Sequence, residues 1–306
     1  MSVISLKNGW FKLLVFLSII MAYFLLNRSF QITPKTEGFQ QLEKYVIKRE
    51  NQIYDEFYVD IYDHLHQTEV RNKFEVEKIM GATQADKQSS IILDIGCGTG
   101  CAVEYMKSAG YKNVFGVDKS EAMIEYAREK SKTVMCKMGD IMNPMEFSPS
   151  TFSHILCLDK TIYEFQDKLA FFRNVYSWLS LGGYLAIHLV DPDKFDPIIP
   201  IGKPREISNI QKYSSQGRIT STLVDFGSFT YKNEYDFNKC PCVSRKETFT
   251  DLATKNIRTN ETTLYMDPVD VIMDIAKHCR FQLIGQFTYE KYNSDPNQFI
   301  YILKKI

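Results

Sequence analysis

An α/β architecture, with a parallel sheet wrapped by helices on both faces, is expected from three observations. Apolar strand-like runs alternate with helix-period segments between residues 91 and 190. A buried run, Ile91-Ile92-Leu93-Asp94-Ile95, passes into a loop with glycine at alternate positions, Gly96, Gly98 and Gly100. The helical punctuation then stops: from Arg218 to Met266 there are alternating runs such as Thr220-Ser221-Thr222-Leu223-Val224, the pattern of an antiparallel insertion. An apolar N-terminal run adds a transmembrane helix to this expectation.

That run extends from Trp10 to Leu26 and is apolar apart from Lys12 and Ser18, at the short end of what spans a bilayer. Lys12 lies near one edge, where a long side chain snorkels, and Trp10 and Tyr23 suit the interfaces. No small-x-small cleavage pattern follows, so the sequence reads as an uncleaved single-pass membrane anchor rather than a cleaved signal peptide. Residues 1–35 are accordingly taken as anchor and linker. Lys7 and Lys12 compete with Arg28, Lys35 and Lys44 in setting orientation. The catalytic domain is read as cytosolic, while the glycosylation-type triplets Asn27-Arg28-Ser29 and Asn260-Glu261-Thr262 keep a lumenal orientation open.

The 306-residue chain as a whole has globular composition, 44% hydrophobic and 24% charged. Basic and acidic residues balance at 37 each, so bulk charge advertises no nucleic-acid partner. The seven cysteines are odd in number and several lie in apolar runs, as reduced thiols do. Cys240 and Cys242 lack the partners that zinc spacing requires, and no metal is expected.

Residues 40–66 carry helical spacing through Leu42, Val46, Ile53 and Phe57, so two helices are expected before the first strand, the second ending at Gly81. Strand 91–95 leads to a helix from Cys101 closed by Gly110, and strand 114–117 ends in Asp118 before helix 120–130. Strands 133–138 and 152–158, helix 167–181 and strand 184–190 complete the alternation. Helical spacing returns at Asp267 to Cys279, followed by strands 281–289 and 298–303 around an Asp295-Pro296-Asn297 turn. The expected division is a core of residues 36–192 and 267–306 with an inserted β lid over residues 193–266.

The glycine loop seats a nucleotide-like ligand before any family is considered, because its backbone N–H groups and the following helix N-terminus are open to one. With Val117-Asp118, Gly139-Asp140 and Leu181-Gly182-Gly183 in order after it, the chain resembles the class I S-adenosylmethionine-dependent methyltransferases of small-molecule type. The resemblance implies a Rossmann-like seven-stranded sheet whose last strand is antiparallel, with S-adenosyl-L-methionine as cofactor. It implies that Asp94, Gly96, Cys97, Gly98 and Gly100 hold the methionine end, that Asp118 with Lys119 takes the ribose hydroxyls, and that Asp140 and Ile141 take the adenine. Tyr62, with Tyr58 and Asp63, resembles the N-terminal helix that closes over the cofactor. A nicotinamide oxidoreductase shares the glycine turn, but the G-x-G-x-G spacing and the last antiparallel strand favour the methyltransferase.

Methyl transfer is an in-line displacement that needs alignment and exclusion of water, with a base only where the nucleophile carries a proton to be removed. Candidates for acceptor contact follow strands four and five: Asp159, Lys160 and Tyr163, then His188 and Asp191. The expected activity is methylation of an N or O nucleophile of a small molecule. A membrane-tethered cofactor-binding module without catalysis, or a protein methyltransferase, stands as the alternative, and the β insertion offers a homodimer face.

Overall fold

The computed structural model describes residues 9–28, 43–202, 210–215 and 217–306. Residues 1–8 and 29–35 of the expected anchor and linker lie outside the described residues, and with them Lys7, Lys35 and Ser29 of the first glycosylation triplet.

Helix α1 covers Gly9–Arg28. The elements then run β1 (Tyr45–Arg49), α2 (Glu56–His66), α3 (Thr68–Thr83), β2 (Ile91–Ile95), α4 (Cys101–Ser108), β3 (Asn113–Asp118), α5 (Glu121–Lys130), β4 (Cys136–Met138), β5 (Phe152–Cys157), α6 (Lys168–Trp178) and β6 (Leu179–Val190). The chain continues with β7 (Ser221–Asp225), β8 (Phe229–Asp236), β9 (Cys242–Asp251), β10 (Ile257–Tyr265), α7 (Val269–His278), β11 (Phe281–Thr288), α8 (Glu290–Asn293) and β12 (Gln298–Lys305).

The central sheet has seven strands in the order β11-β12-β6-β5-β2-β3-β4. Strands β2 to β6 are mutually parallel where they pair, whereas β12 runs antiparallel to both β6 and β11, with Ile300 opposite His188. The strand order reverses between β2 and β5, and in open α/β sheets that switch point leaves a crevice beyond the strands' carboxyl ends. Strand β2 is buried on both faces, Leu93 and Ile95 contributing to one core and Ile92 to the other, which explains its unbroken apolar run. Side chains fix the helix starts: Asp55 caps α2, Ser120 caps α5 and Asp167 caps α6, each accepting from a backbone N–H in the first turn.

A second sheet, ordered β1-β10-β9-β8-β7, is antiparallel except for its first pair. Here the structure corrects the helix expected around residues 40–50. Residues Tyr45–Arg49 form a strand parallel to β10, with Val46 opposite Arg258. The pairing partner lies about two hundred residues away, so the local helical spacing of Val46 is overridden by edge-strand hydrogen bonding. Helix α3 likewise runs past Gly81 to Thr83, and Gln84 takes the left-handed cap.

The membrane expectations are corrected too. Among the described residues no helix is long and apolar enough to cross a membrane. The transmembrane helix, the membrane partner and the single-pass localisation are therefore withdrawn, and with them the question of cytosolic or lumenal orientation. Asn260 of the second glycosylation triplet is fully buried in β10, where its Oδ1 accepts from Arg258 Nε at 3.0 Å, so it serves packing instead.

Candidate active site

The glycine loop leaves β2 at Ile95, and Gly96, Gly98 and Gly100 take φ of +68°, +50° and +72°. A Cβ on Gly96 would lie 2.6 Å from Thr161 Cγ2, so this position combines a left-handed backbone with a close neighbour. Gly96 N–H donates to Val117 O at 2.8 Å, and Gly98 N–H donates to Asp118 Oδ2 at 2.9 Å, which ties the loop to the end of β3. Asp118 Oδ1 accepts from Ser120 N–H at 2.9 Å. Burial pushes this carboxyl up while the backbone donors from Ser120, Gly98 and Lys119 pull it back down. Asp140 accepts from Met142 N–H at 2.9 Å and lies 3.6 Å from Lys119 Nζ.

Gly96, Gly98, Asp118, Lys119, Asp140, Ile141 and Tyr62 all line one cavity of about 120 Å³ at the carboxyl edge of the sheet. Asp94 and Cys97 lie in a smaller adjoining hollow beside Gly96 and Gly98, with Arg71 and Asn72. Burial, with Glu75 and Asp118 nearby, pushes the Asp94 carboxyl up to about 8. Gly100 lines neither space; it caps α4 in the left-handed region, where a Cβ would meet Ala127 and Val134 at 3.0 Å. No side chain caps α4, so its first N–H groups are left to the loop or to a ligand. The cradle fits S-adenosylmethionine: glycines where a Cβ would crowd the loop, one acid at the end of β3, a second beyond β4, and an apolar floor at Ile141.

A second cavity of about 80 Å³ adjoins the first and shares Tyr54, Tyr62, Thr161 and Glu164 with it. Asp159, Lys160 and His188 line it. Asp159 accepts from Arg71 Nη1 at 2.6 Å and from Lys160 Nζ at 3.0 Å. Burial alone would push its carboxyl up, but Arg71 and Lys160 hold it well below the usual carboxylate range. His188 is buried and stacks on Tyr289 at 4.3 Å; burial drives its pKa far down, so the ring is neutral.

The other two acceptor-side candidates sit elsewhere. Tyr163 is fully buried, its hydroxyl donating to Val190 O at 3.2 Å and accepting from Val190 N–H at 2.9 Å. Asp191 accepts from Asp193 N–H at 3.1 Å and pairs with Lys194 at 3.2 Å, closing a turn after β6. Neither lines a described cavity.

Arg71, His66 and Glu164 line the second cavity without having been singled out for it, and Arg245 of β9 joins them there. Arg71 meets Asp159 across 88 positions of sequence, a separation that no local pattern bridges. Glu164 stands one residue beyond the segment from Leu158 to Tyr163, whose position after the fourth strand was the available signal. Tyr54 Oη donates to Glu164 Oε1 at 2.9 Å, and burial pushes this carboxyl up to about 7. His66 stacks on Tyr62 at 4.5 Å, and burial lowers it to about 3. Among the described residues His66 Nε2, Arg71 Nε, Tyr292 Oη and the ring nitrogens of His188 lack a well-formed hydrogen bond, Gln298 beside the His188 ring donating instead to Asp295 Oδ2 at 2.6 Å. An unpaired buried polar group costs about 1–3 kcal/mol, so their gathering on one wall marks a surface made for a polar ligand.

The second sheet braces this wall. Buried Glu247 on β9 accepts from Tyr58 Oη at 2.8 Å, Tyr231 Oη at 2.6 Å and Arg245 Nη2 at 2.7 Å. Helix α2 is thereby tied to the lid, and Arg245 is held at the cavity.

Sheet order, glycine loop and strand-end acids together define a class I, Rossmann-like S-adenosylmethionine-dependent methyltransferase domain. Residues 92–183 match the family model described as "Methyltransferase domain". Phosphoethanolamine N-methyltransferase 1 of Triticum aestivum is 36% identical over 105 residues, 33% of this chain and 21% of that protein. The 18S rRNA (guanine-N(7))-methyltransferase of Bos taurus is 30% identical over 108 residues, 32% of this chain and 38% of its own. The chain thus matches about a fifth of the length of the phosphoethanolamine enzymes. Among solved structures, an S-adenosylmethionine-dependent methyltransferase from Clostridium acetobutylicum superposes with a TM-score of 0.60 at 19% identity, covering 81% of this chain and 97% of that one. The CcbJ methyltransferase of Streptomyces caelestis gives 0.59 at 14%, covering 84% and 99%. An amino pentose methyltransferase from Micromonospora echinaspora gives 0.56 at 16%, covering 80% and 97%. At these identities the structural likeness shows the fold.

Proposed function

We propose that this protein transfers the methyl group of S-adenosylmethionine to an N or O nucleophile of a small molecule. The observation that carries the reading is the pair of adjoining cavities sharing Tyr54, Tyr62, Thr161 and Glu164, one lined by the strand-end acids and the other roofed by the β lid. A macromolecular acceptor needs an open approach, whereas the second cavity is small and walled by α2, the β5 loop, β9 and α8. Residues 36–192 and 267–306 serve as the catalytic core in this reading and residues 193–266 as the lid. The names of relatives acting on phosphoethanolamine and amino pentoses support a small acceptor, while the rRNA enzymes show that the shared segment does not choose it.

When bound, S-adenosylmethionine supplies an electrophilic methyl on a sulfonium. Asp118 offers its outer carboxylate lone pairs to the ribose hydroxyls, its inner ones being used by Gly98 and Ser120. Asp140 and Ile141 face the adenine, and Asp94 faces the amino-acid end, the N–H groups of Gly96, Cys97, Gly98 and Gly100 being used within the protein to hold the loop's shape. Tyr62 and Thr161 narrow the passage between cavities, which aligns the acceptor and excludes water. Asp159, fixed by Arg71 and Lys160, and neutral His188 form the polar acceptor wall.

Release of S-adenosylhomocysteine from S-adenosylmethionine, measured over a panel of small amines and alcohols, tests the reading. Turnover with a small acceptor is expected. Tight cofactor binding with no turnover on any member would favour the cofactor-binding module without catalysis.

A further inference from the structure

Resting on the proposed reaction, we infer that the acceptor is an amine and that Glu164 is the group that receives its ammonium and takes its proton. Among the described residues Glu164 is the one carboxylate lining both cavities, so it stands at the passage where the methyl must cross. Asp118 and Asp140 line the cofactor cavity alone, and Asp159 lines the acceptor side, where Arg71 and Lys160 occupy its oxygens. Tyr54 Oη holds Glu164 Oε1 at 2.9 Å. No described hydrogen bond or ion pair takes Oε2.

The aromatic side chains around it suit a cation. Tyr54 and Tyr62 both line the passage, and ring faces attract an ammonium. A hydroxyl acceptor would need a base strong enough to take an alcohol proton. Glu164 is a weak base, matched to an amine, which only has to lose the proton that masks its lone pair. The step balances. R–NH₃⁺ gives one proton to the Glu164 carboxylate, and the freed lone pair forms the C–N bond as the C–S bond breaks. That bonding pair stays on sulfur, leaving neutral thioether and protonated methylamine.

The charged and titratable groups facing Glu164 are Tyr54 before α2, Tyr62 on α2, Asp118 from β3, Cys157 at the end of β5, Asp159 from the β5 loop and Arg245 from β9, and burial keeps Tyr62 and Cys157 protonated. Tyr54 is held protonated, Asp159 ionised and Arg245 charged across neutral pH. Asp118 faces the ribose, which is common to any two cofactor analogues compared, so its effect cancels in their ratio.

Sinefungin carries a primary amine where the cofactor carries the transferable methyl, and it tests the inference without a known acceptor. Titrated into the full chain at pH 8, sinefungin should bind at least about 10-fold tighter than S-adenosylhomocysteine, the scale of one charge-assisted hydrogen bond. Glu164→Gln should bring the ratio near parity while S-adenosylhomocysteine affinity stays within about 3-fold, which also shows that the variant is folded. In the unmodified protein the preference should shrink as pH falls from 8 to 5.5 and Glu164 protonates, an arm that needs no variant. Parity at pH 8, a ratio unchanged in Glu164→Gln, or loss of S-adenosylhomocysteine binding in the folded variant alone would overturn the inference. Failure of the unmodified protein to bind either analogue would instead overturn the cofactor reading beneath it.

Discussion

Asp94 and Gly96 stand two residues apart and are constrained by different physics. Gly96 is fixed by sterics: with φ at +68° and a would-be Cβ 2.6 Å from Thr161 Cγ2, Gly96→Ala should destabilise the protein by about 1–3 kcal/mol. Chemical denaturation checks the stability, and S-adenosylhomocysteine affinity should fall with it because Thr161 lines both cavities. Asp94 is governed by charge. A carboxyl pushed up to about 8 is mostly protonated at pH 7, and an ammonium brought beside it favours the ionised form. Cofactor binding at pH 7 should therefore release close to one proton, read as a binding enthalpy that changes with the buffer's ionisation enthalpy. Asp94→Asn should abolish that dependence. The loop glycines were legible in the sequence because a left-handed turn is a local demand. Arg71 and Glu164 were not, since their roles arise from contacts that span 88 and 110 positions.

The lid shows what periodicity conveys about an element and what it omits. Strand β8 buries every second residue from Phe229 to Tyr235, and β9 buries Val243, Glu247 and Phe249 in the same alternation with Arg245 half-buried between them, as a half-buried sheet requires. Strand β1 alternates too, but with only five residues and partial burial its pattern is compatible with a helix face, and the partner that decides, β10, is remote in sequence. The lid's attachment to α2 rests on Glu247, which three donors satisfy. Removing a buried, paired charge leaves Arg245 uncompensated, so Glu247→Ala should cost about 3–5 kcal/mol in denaturant unfolding. Arg49→Ala on β1 removes only an exposed ion pair to Glu261 and should cost less than about 1 kcal/mol. Equal losses would show that the buried network is not what holds the lid.

At the scale of the whole molecule, the alternation of strands and helices fixes the class of sheet, whose carboxyl edge borders the two cavities. This much was readable, because parallel strands with right-handed crossovers admit few arrangements. The N-terminal apolar run shows the limit of composition: helix α1 forms, but among the described residues no helix is long and apolar enough to cross a membrane. Tyr163 and Asp191 illustrate a finer limit. Both lie at strand ends beside the site, yet one hydroxyl and one carboxyl are used by backbone groups, a matter of direction that spacing along the chain leaves open. The cradle formed by the glycine loop, Asp118 and Asp140 underlies both the proposed reaction and the role of Glu164. Calorimetric titration of S-adenosylhomocysteine into the full chain and into Asp118→Ala tests it most directly. One-to-one binding, weakened about 10-fold or more by the substitution, is the predicted result; no binding, or equal affinity for both proteins, would contradict it.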